Sequence, residues 1–482
     1  MFSLGACDKP LQEVPKTFIA PDQFFKTAEQ CTQAVNGLYA SLYDLFSQNL
    51  WMVTQPGGDL VMQTRNQASV NLSDFEYTFS ASNPGEASGI WNTCYAGIKN
   101  ENLAISRLQA ALIPDTLRLR LLGEAKFLRA LNYFVLTNVF GDVPLWTQEL
   151  DIDKVSSLPR APLDSVRAQV IQDLKDAVSG LPLSYDASET GRITQGAART
   201  LLAKVYLYQE DWKDAQAAAQ AVEDSHQYQL LTNYADLYDV TDKNKNNKES
   251  IFEIQYDRDA ATNTNIKVNY YYAWFFPLKD AGSVYSGVDF GNPLLQGYEI
   301  FYPSSKLVAM FEPGDTRKDV VLGYGYNGQT FNRGPKPGRP FFGPKFWDVL
   351  ANDRASDKDF YVLRYADVIL INAEAMIAQQ NKAGSISELN KIRNRAGLPD
   401  LDPAISADSV VSEVRKERAI EFVGECQRRW DLNRWGILTA AVQSVKEDNP
   451  VGAANIQPYN NLYPIPYNQI VLNPNLIQNP GY

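Results

Sequence analysis

The residues best suited to hold a ligand are concentrated in two stretches. From Tyr270 to Tyr302 the chain carries Tyr270, Tyr271, Tyr272, Trp274, Phe275, Phe276, Tyr285, Phe290, Tyr298, Phe301 and Tyr302. That is about a third of the segment against 12% for the whole chain, so the enrichment is local. Aromatic faces stack on the apolar C–H faces of sugar rings, and equally well on one another in a core. Both readings apply to this segment; we expect at least one or two of these rings to line a binding surface, with Tyr272, Trp274, Tyr285 and Phe290 as the candidates. A second stretch supplies Trp51, Asp59, Arg65, Phe75 and Tyr77. A carboxylate and a guanidinium beside a ring are what sugar hydroxyls need for hydrogen bonds.

Other chemistries find little support. The one histidine, His226, stands in a polar context, so neither a two-histidine metal site nor a nucleophile–histidine pair with a recognisable elbow can be built. Cys7, Cys31, Cys94 and Cys426 form no CxxC pair, and the last three lie among apolar residues as small buried hydrophobes. Carboxylates are plentiful, but no pair is singled out for glycoside hydrolysis. Gly323–Gly328 is rich in glycine, yet no Lys-Ser/Thr follows it, which argues against a phosphate loop. No cofactor is expected, with a structural calcium on oxygen ligands left open. The balance of 45 Lys+Arg against 56 Asp+Glu, a net charge of −11, argues against nucleic acid as a partner.

The elements that must position these residues are helical. With 482 residues and 45% apolar content, the chain can bury a large core. Apolar residues at three- and four-residue spacing predict helices over 28–46, 117–140 and 163–178. Residues 196–224 place Leu202, Ala203 and Tyr206 on one helix and Ala215, Ala219 and Val222 on the next. That is the tetratricopeptide pattern of two closely packed helices, and 365–395 repeats it more weakly. Residues 50–90 and 246–359 lack a 3.6 period, and loops of that length usually carry function. A short β piece is expected at Ile251–Gln255. The mixed-charge run Val414–Gly436 predicts ion pairs within and between helices.

At the N-terminus, Leu4-Gly5-Ala6-Cys7 reads as a lipobox, with Cys7 as the lipidated residue and the preceding apolar signal region trimmed away. No apolar run is long enough to span a bilayer.

Several ordered motifs carry a family resemblance. They are Trp91-Asn-Thr-Cys-Tyr95, Gly123–Ala130, Phe140–Leu145, Leu363–Leu370, Leu389–Leu398, Glu417–Trp435, Leu462–Pro466 and Asn473–Gly481. Together they resemble the SusD/RagB family of outer-membrane nutrient-binding lipoproteins of Bacteroidota. One departure is Cys426, where that family usually has glycine; a small packing change is expected. The resemblance implies a mainly α fold, a right-handed superhelix of about four tetratricopeptide-like helix pairs with a loop-rich variable lobe. Residues 1–20 would be a lipid-anchored tether and 21–482 a single domain. Its scaffold would span about 21–245 and 360–445, its lobe about 246–359, and its tail 446–482, which the prolines predict to be extended. The resemblance further implies a non-catalytic role at the cell surface: holding an oligosaccharide, or alternatively a peptide or protein-derived ligand, for a SusC-like TonB-dependent transporter.

Overall fold

A computed structural model describes residues 24–65, 72–241, 245–257, 269, 271–353 and 355–482, apart from the side chains of 47, 48, 271 and 272. Helix α1 (Ala28–Leu38) opens the described chain. It is followed by α2 (Ala87–Ala110), α3 (Asp115–Phe140), α4 (Leu163–Gly180), α5 (Gln195–Tyr208) and α6 (Trp212–Glu223). After the irregular middle come α7 (Tyr365–Ala378), α8 (Lys382–Arg395), α9 (Ala407–Glu421) and the short α10 (Arg428–Arg434). From α2 to α9, each helix packs on the next in chain order, making four successive pairs. The fold is therefore the helix-rich one expected, with few and short strands.

Local chemistry explains the helix boundaries. Thr194 caps α5 by accepting from the Ala197 amide, and Asp211 caps α6 by accepting from the Asp214 amide. Buried Ala198, Ala203, Ala215 and Ala219 remove bulk between α5 and α6, so the backbones approach closely. Gly141, at φ +73°, ends α3 in a conformation that favours glycine. The helix expected over 28–46 is interrupted at Tyr39. It resumes at Ala40–Asp44 and passes through a π-helical turn at Leu45–Asn49. The expected apolar face still holds, since Cys31, Val35, Leu38, Leu42 and Leu45 are all buried.

Ten short strands among the described residues help to shape the lobe and join it to the scaffold, including β1 (Val61–Gln63), β2 (Ser250–Ile254), β3 (Phe301–Pro303), β4 (Gly325–Tyr326), β5 (Gln329–Thr330) and β6 (Phe360–Arg364). Strand β2 forms where the β piece was expected and pairs antiparallel with β6. Strand β1 pairs with β3, which joins the two long irregular segments.

The tail corrects one expectation. It does lie over the scaffold: the Tyr463 amide donates to the Val139 carbonyl (2.8 Å), and Asn479 Nδ2 donates to the Phe140 carbonyl (3.0 Å). It is not extended throughout, because Pro450–Asn455 and, further on, Tyr467–Leu472 are helical. Pro466 immediately precedes the second helix and Pro474 follows it, and proline is tolerated at such boundaries.

The mixed-charge run is interior. Arg364, at the end of β6, donates to Glu249, Glu421 and Glu425, all within 2.6–2.8 Å at the nearest atoms. Arg418 bridges Asp367 and Asp431, and Arg434 bridges Glu374 and Asp431. Neighbouring guanidinium groups hold the buried Glu421 carboxyl below the usual carboxylate range, against the opposing effect of burial. The Arg364–Glu249 pair ties the start of β2 to the scaffold, and those of Arg418 and Arg434 join scaffold helices to one another.

Candidate functional site

Most of the rings proposed from sequence lie inside. Trp51 is fully buried, 4.5 Å from the Phe301 ring centroid and edge-on to Phe275 at 5.1 Å. Trp274 is 6% exposed and packs against Trp51 and Phe301 at 6.4 and 5.9 Å. Tyr285 is fully buried, its hydroxyl donating to the Leu295 carbonyl, and burial pushes it up to about 12. Phe290 is buried against Phe276 and Trp347. Tyr77 is buried, donating to the Gly57 carbonyl and accepting from Arg429 (2.7 Å). Asp59 is fully buried, taking both Arg428 donors at 2.8 and 2.9 Å and Lys306 at 2.7 Å. These residues therefore do not form the exposed platform expected of them. The physical reason is the lobe's lack of helices: coil segments need large rings to make a core. Cys7 and the Tyr272 side chain lie outside the described residues.

Arg65 is different. It is exposed, and its Nη2 donates to the Tyr298 carbonyl at 2.6 Å. The two irregular segments thus meet at this hydrogen bond, one layer outside the buried rings. The strip 298–300 is strung between two neighbours. The amides of Tyr298, Glu299 and Ile300 donate to the carbonyls of Ala273, Phe276 and Trp274, each at 2.8 Å. On the other side, the Thr64 amide donates to the Ile300 carbonyl (2.8 Å). Glu299 then receives both Arg333 Nη atoms, at 2.8 and 2.9 Å, and the Leu278 amide at 3.0 Å. This hydrogen bonding raises the Arg333 guanidinium above its ordinary value.

Next to Arg333, the Phe331 amide donates to the Tyr324 carbonyl. Strands β4 and β5 form a two-residue hairpin whose turn, Asn327-Gly328, has φ of 48° and 76°. Asn-Gly is the preferred pair for such a turn. The hairpin displays Tyr324, 45% exposed, and half-buried Tyr326, which stacks on Phe290 at 4.4 Å. Gly323–Gly328 is thus a hairpin display, and its Asn-Gly step was the sequence signal for it.

The outer strip Arg65, Tyr298, Glu299, Arg333 and Tyr326 combines two rings, two guanidinium groups and one carboxylate. Such a set can stack on and hydrogen-bond a polyhydroxylated ligand. Elsewhere, one carboxylate group among the described residues is close enough for an ion: Glu312, Glu413 and Glu417. Arg393 and Lys416 already bridge it.

Comparison with known proteins places the fold in a family. Residues 19–207 match a family described as starch-binding and associating with outer membrane, and residues 345–482 match the SusD family. The chain belongs to the SusD/RagB family. A SusD-like protein of Formosa agariphila is 26% identical over 100% of this chain and 98% of its own. The starch-binding protein SusD of Bacteroides thetaiotaomicron is 25% identical over 80% of this chain and 76% of its own. Among solved structures, a laminarin-binding SusD-like protein superposes with a TM-score of 0.80. It is 25% identical and covers 95% of this chain and 100% of its own. SusD/RagB membership brings an association of the family with the outer membrane, while no helix among the described residues is long and apolar enough to cross one.

Proposed function

We propose that this protein is a surface glycan-binding lipoprotein that holds a neutral glucan along the outer strip of its lobe. The observation that carries this reading is the strip itself. Two guanidinium groups, Arg65 and Arg333, are fastened to residues 298–299, and the Asn327-Gly328 hairpin carries the surface ring of Tyr326, on a fold shared with a laminarin-binding relative. The protein holds its cargo without cleaving it and passes it to a SusC-like TonB-dependent transporter. Cys7 carries the lipid that keeps the protein at the cell surface.

Three experiments test these parts. Affinity electrophoresis in laminarin and starch gels should retard the wild-type protein, and free migration in both would contradict glucan binding. Reducing-sugar release from a retained polysaccharide would contradict the non-catalytic role. A free, unmodified Cys7 thiol in mass spectra of the native protein would contradict the anchor.

A further inference from the structure

A second groove runs across the scaffold and shares no residue with the outer strip. One half, about 400 Å³, is lined by Tyr185, Tyr228 and Lys248, and the other, about 250 Å³, by Tyr39, Tyr43 and Gln255. The two halves meet at a ridge formed by Glu189–Arg192 and Phe252–Glu253.

Three of the tyrosines are fixed through their hydroxyls. Tyr39 donates to Glu124 (2.7 Å), Tyr185 donates to the Ile193 carbonyl (3.0 Å), and Tyr228 bonds the Thr194 hydroxyl (2.8 Å). Their polar ends are committed to protein, so their apolar ring surfaces form groove wall, already ordered before a ligand arrives.

The charges at the ridge are also committed. Arg192 pairs with Glu124 (3.0 Å) and Glu189 (3.1 Å), and Glu253 accepts from the Asn246 amide and the Ser250 hydroxyl. The crest is kept low by Gly191, at φ +92°, where a Cβ would meet the Gln255 carboxamide at 3.0 Å. Fixed rings, amide and hydroxyl groups, and ridge charges already engaged by protein donors and acceptors favour an uncharged, hydroxyl-rich ligand over an ionic one.

We propose that this groove is a second saccharide site, taking an uncharged oligosaccharide of a few units laid across the Gly191 crest. The ligand class rests in part on the glycan reading of the outer strip, and the test separates the two. Laminarihexaose, maltohexaose, cellohexaose and xylohexaose are each titrated into the whole chain, and bound copies are counted by native mass spectrometry.

The wild-type protein should hold two copies of one of these probes. Ser188→Arg fills the groove from an exposed lining position and should leave one copy, with the melting temperature unchanged. Gln255→Ala should weaken the second copy at least fivefold. Arg65→Ala combined with Tyr326→Ala should remove the other copy only. A wild type holding one copy that only the Arg65/Tyr326 variant loses would overturn the groove site and leave the outer strip standing. A copy lost in Ser188→Arg but kept in the Arg65/Tyr326 variant supports the groove and contradicts the strip. Two copies retained in Ser188→Arg, or none of the four probes bound, would overturn the groove site.

Discussion

Tyr326 lies flat on Phe290, with ring centroids 4.4 Å apart and planes 25° from parallel. Phe290 is buried and Tyr326 is at the surface, so one stack spans from the lobe's core to its outer strip. The core ring holds the outer ring in place, and the outer ring is the one free to meet a sugar. Removing an outward ring should cost about 0.5–1.5 kcal/mol of stacking. Tyr326→Ala should therefore weaken glucan binding by about 2- to 12-fold with little change in melting temperature. Calorimetric titration checks this.

Trp274→Ala should behave in the opposite way. Its ring is buried between Trp51 and Phe301, so truncation opens a cavity. The expected loss is about 3–5 kcal/mol of stability. Chemical denaturation would show it, and an unchanged midpoint would return Trp274 to the surface.

The buried ion pairs around Arg364 predict an asymmetry. Arg364→Ala leaves the Glu249, Glu421 and Glu425 carboxylates short of a partner in a dry interior. Breaking such a pair from one side costs about 3–5 kcal/mol. Arg65→Ala, by contrast, breaks one exposed hydrogen bond and should leave stability within about 0.5 kcal/mol of wild type. Parallel urea titrations compare the two.

Burial, with the nearby Asp74 charge adding to it, pushes the Glu86 carboxyl from 4.5 up to about 7. Because that value is raised, the folded protein binds the proton more tightly than the unfolded chain. The stabilisation is fully present below about pH 4.5 and is lost as the pH rises through 7. Glu86→Gln should therefore raise the melting temperature at pH 8 relative to wild type and change it least near pH 4.5. A difference that does not vary with pH would contradict this assignment.

Cys426 sits at φ 57°, the left-handed region that favours glycine, which gives a physical reason for the glycine that the family resemblance leads one to expect there. Cys426→Gly relieves that strain and gives up the packing of a buried thiol. The two effects oppose each other, so thermal melting should place the variant within about 1 kcal/mol of wild type.

Much of the scaffold was legible in the chain because its signals are local. The spacing of Val166, Val170 and Leu174 and the small residues Ala203 and Ala215 each act within a turn or two. The ion pairs of 414–436 were legible as pairs, though not as buried ones, since their partners Asp59, Arg364 and Arg317 are far away in sequence. The site was only half legible. Composition marks 270–302 as unusual, but ring identity is the same whether a ring faces water or Phe276. Which ring faces out depends on long-range pairing, such as Thr64 with Ile300, and on the Asn327-Gly328 hairpin. The helix within the proline-flanked tail was missed because Pro466 and Pro474 bound a helix without interrupting it.

The most direct test is a calorimetric titration of laminarihexaose into wild type and into the Arg65→Ala/Tyr326→Ala double variant, with melting temperatures recorded alongside. Loss of binding at the outer strip by at least tenfold, with unchanged melting, is the predicted result. Wild-type affinity and stoichiometry in the double variant would contradict the proposal that this strip grips the glycan.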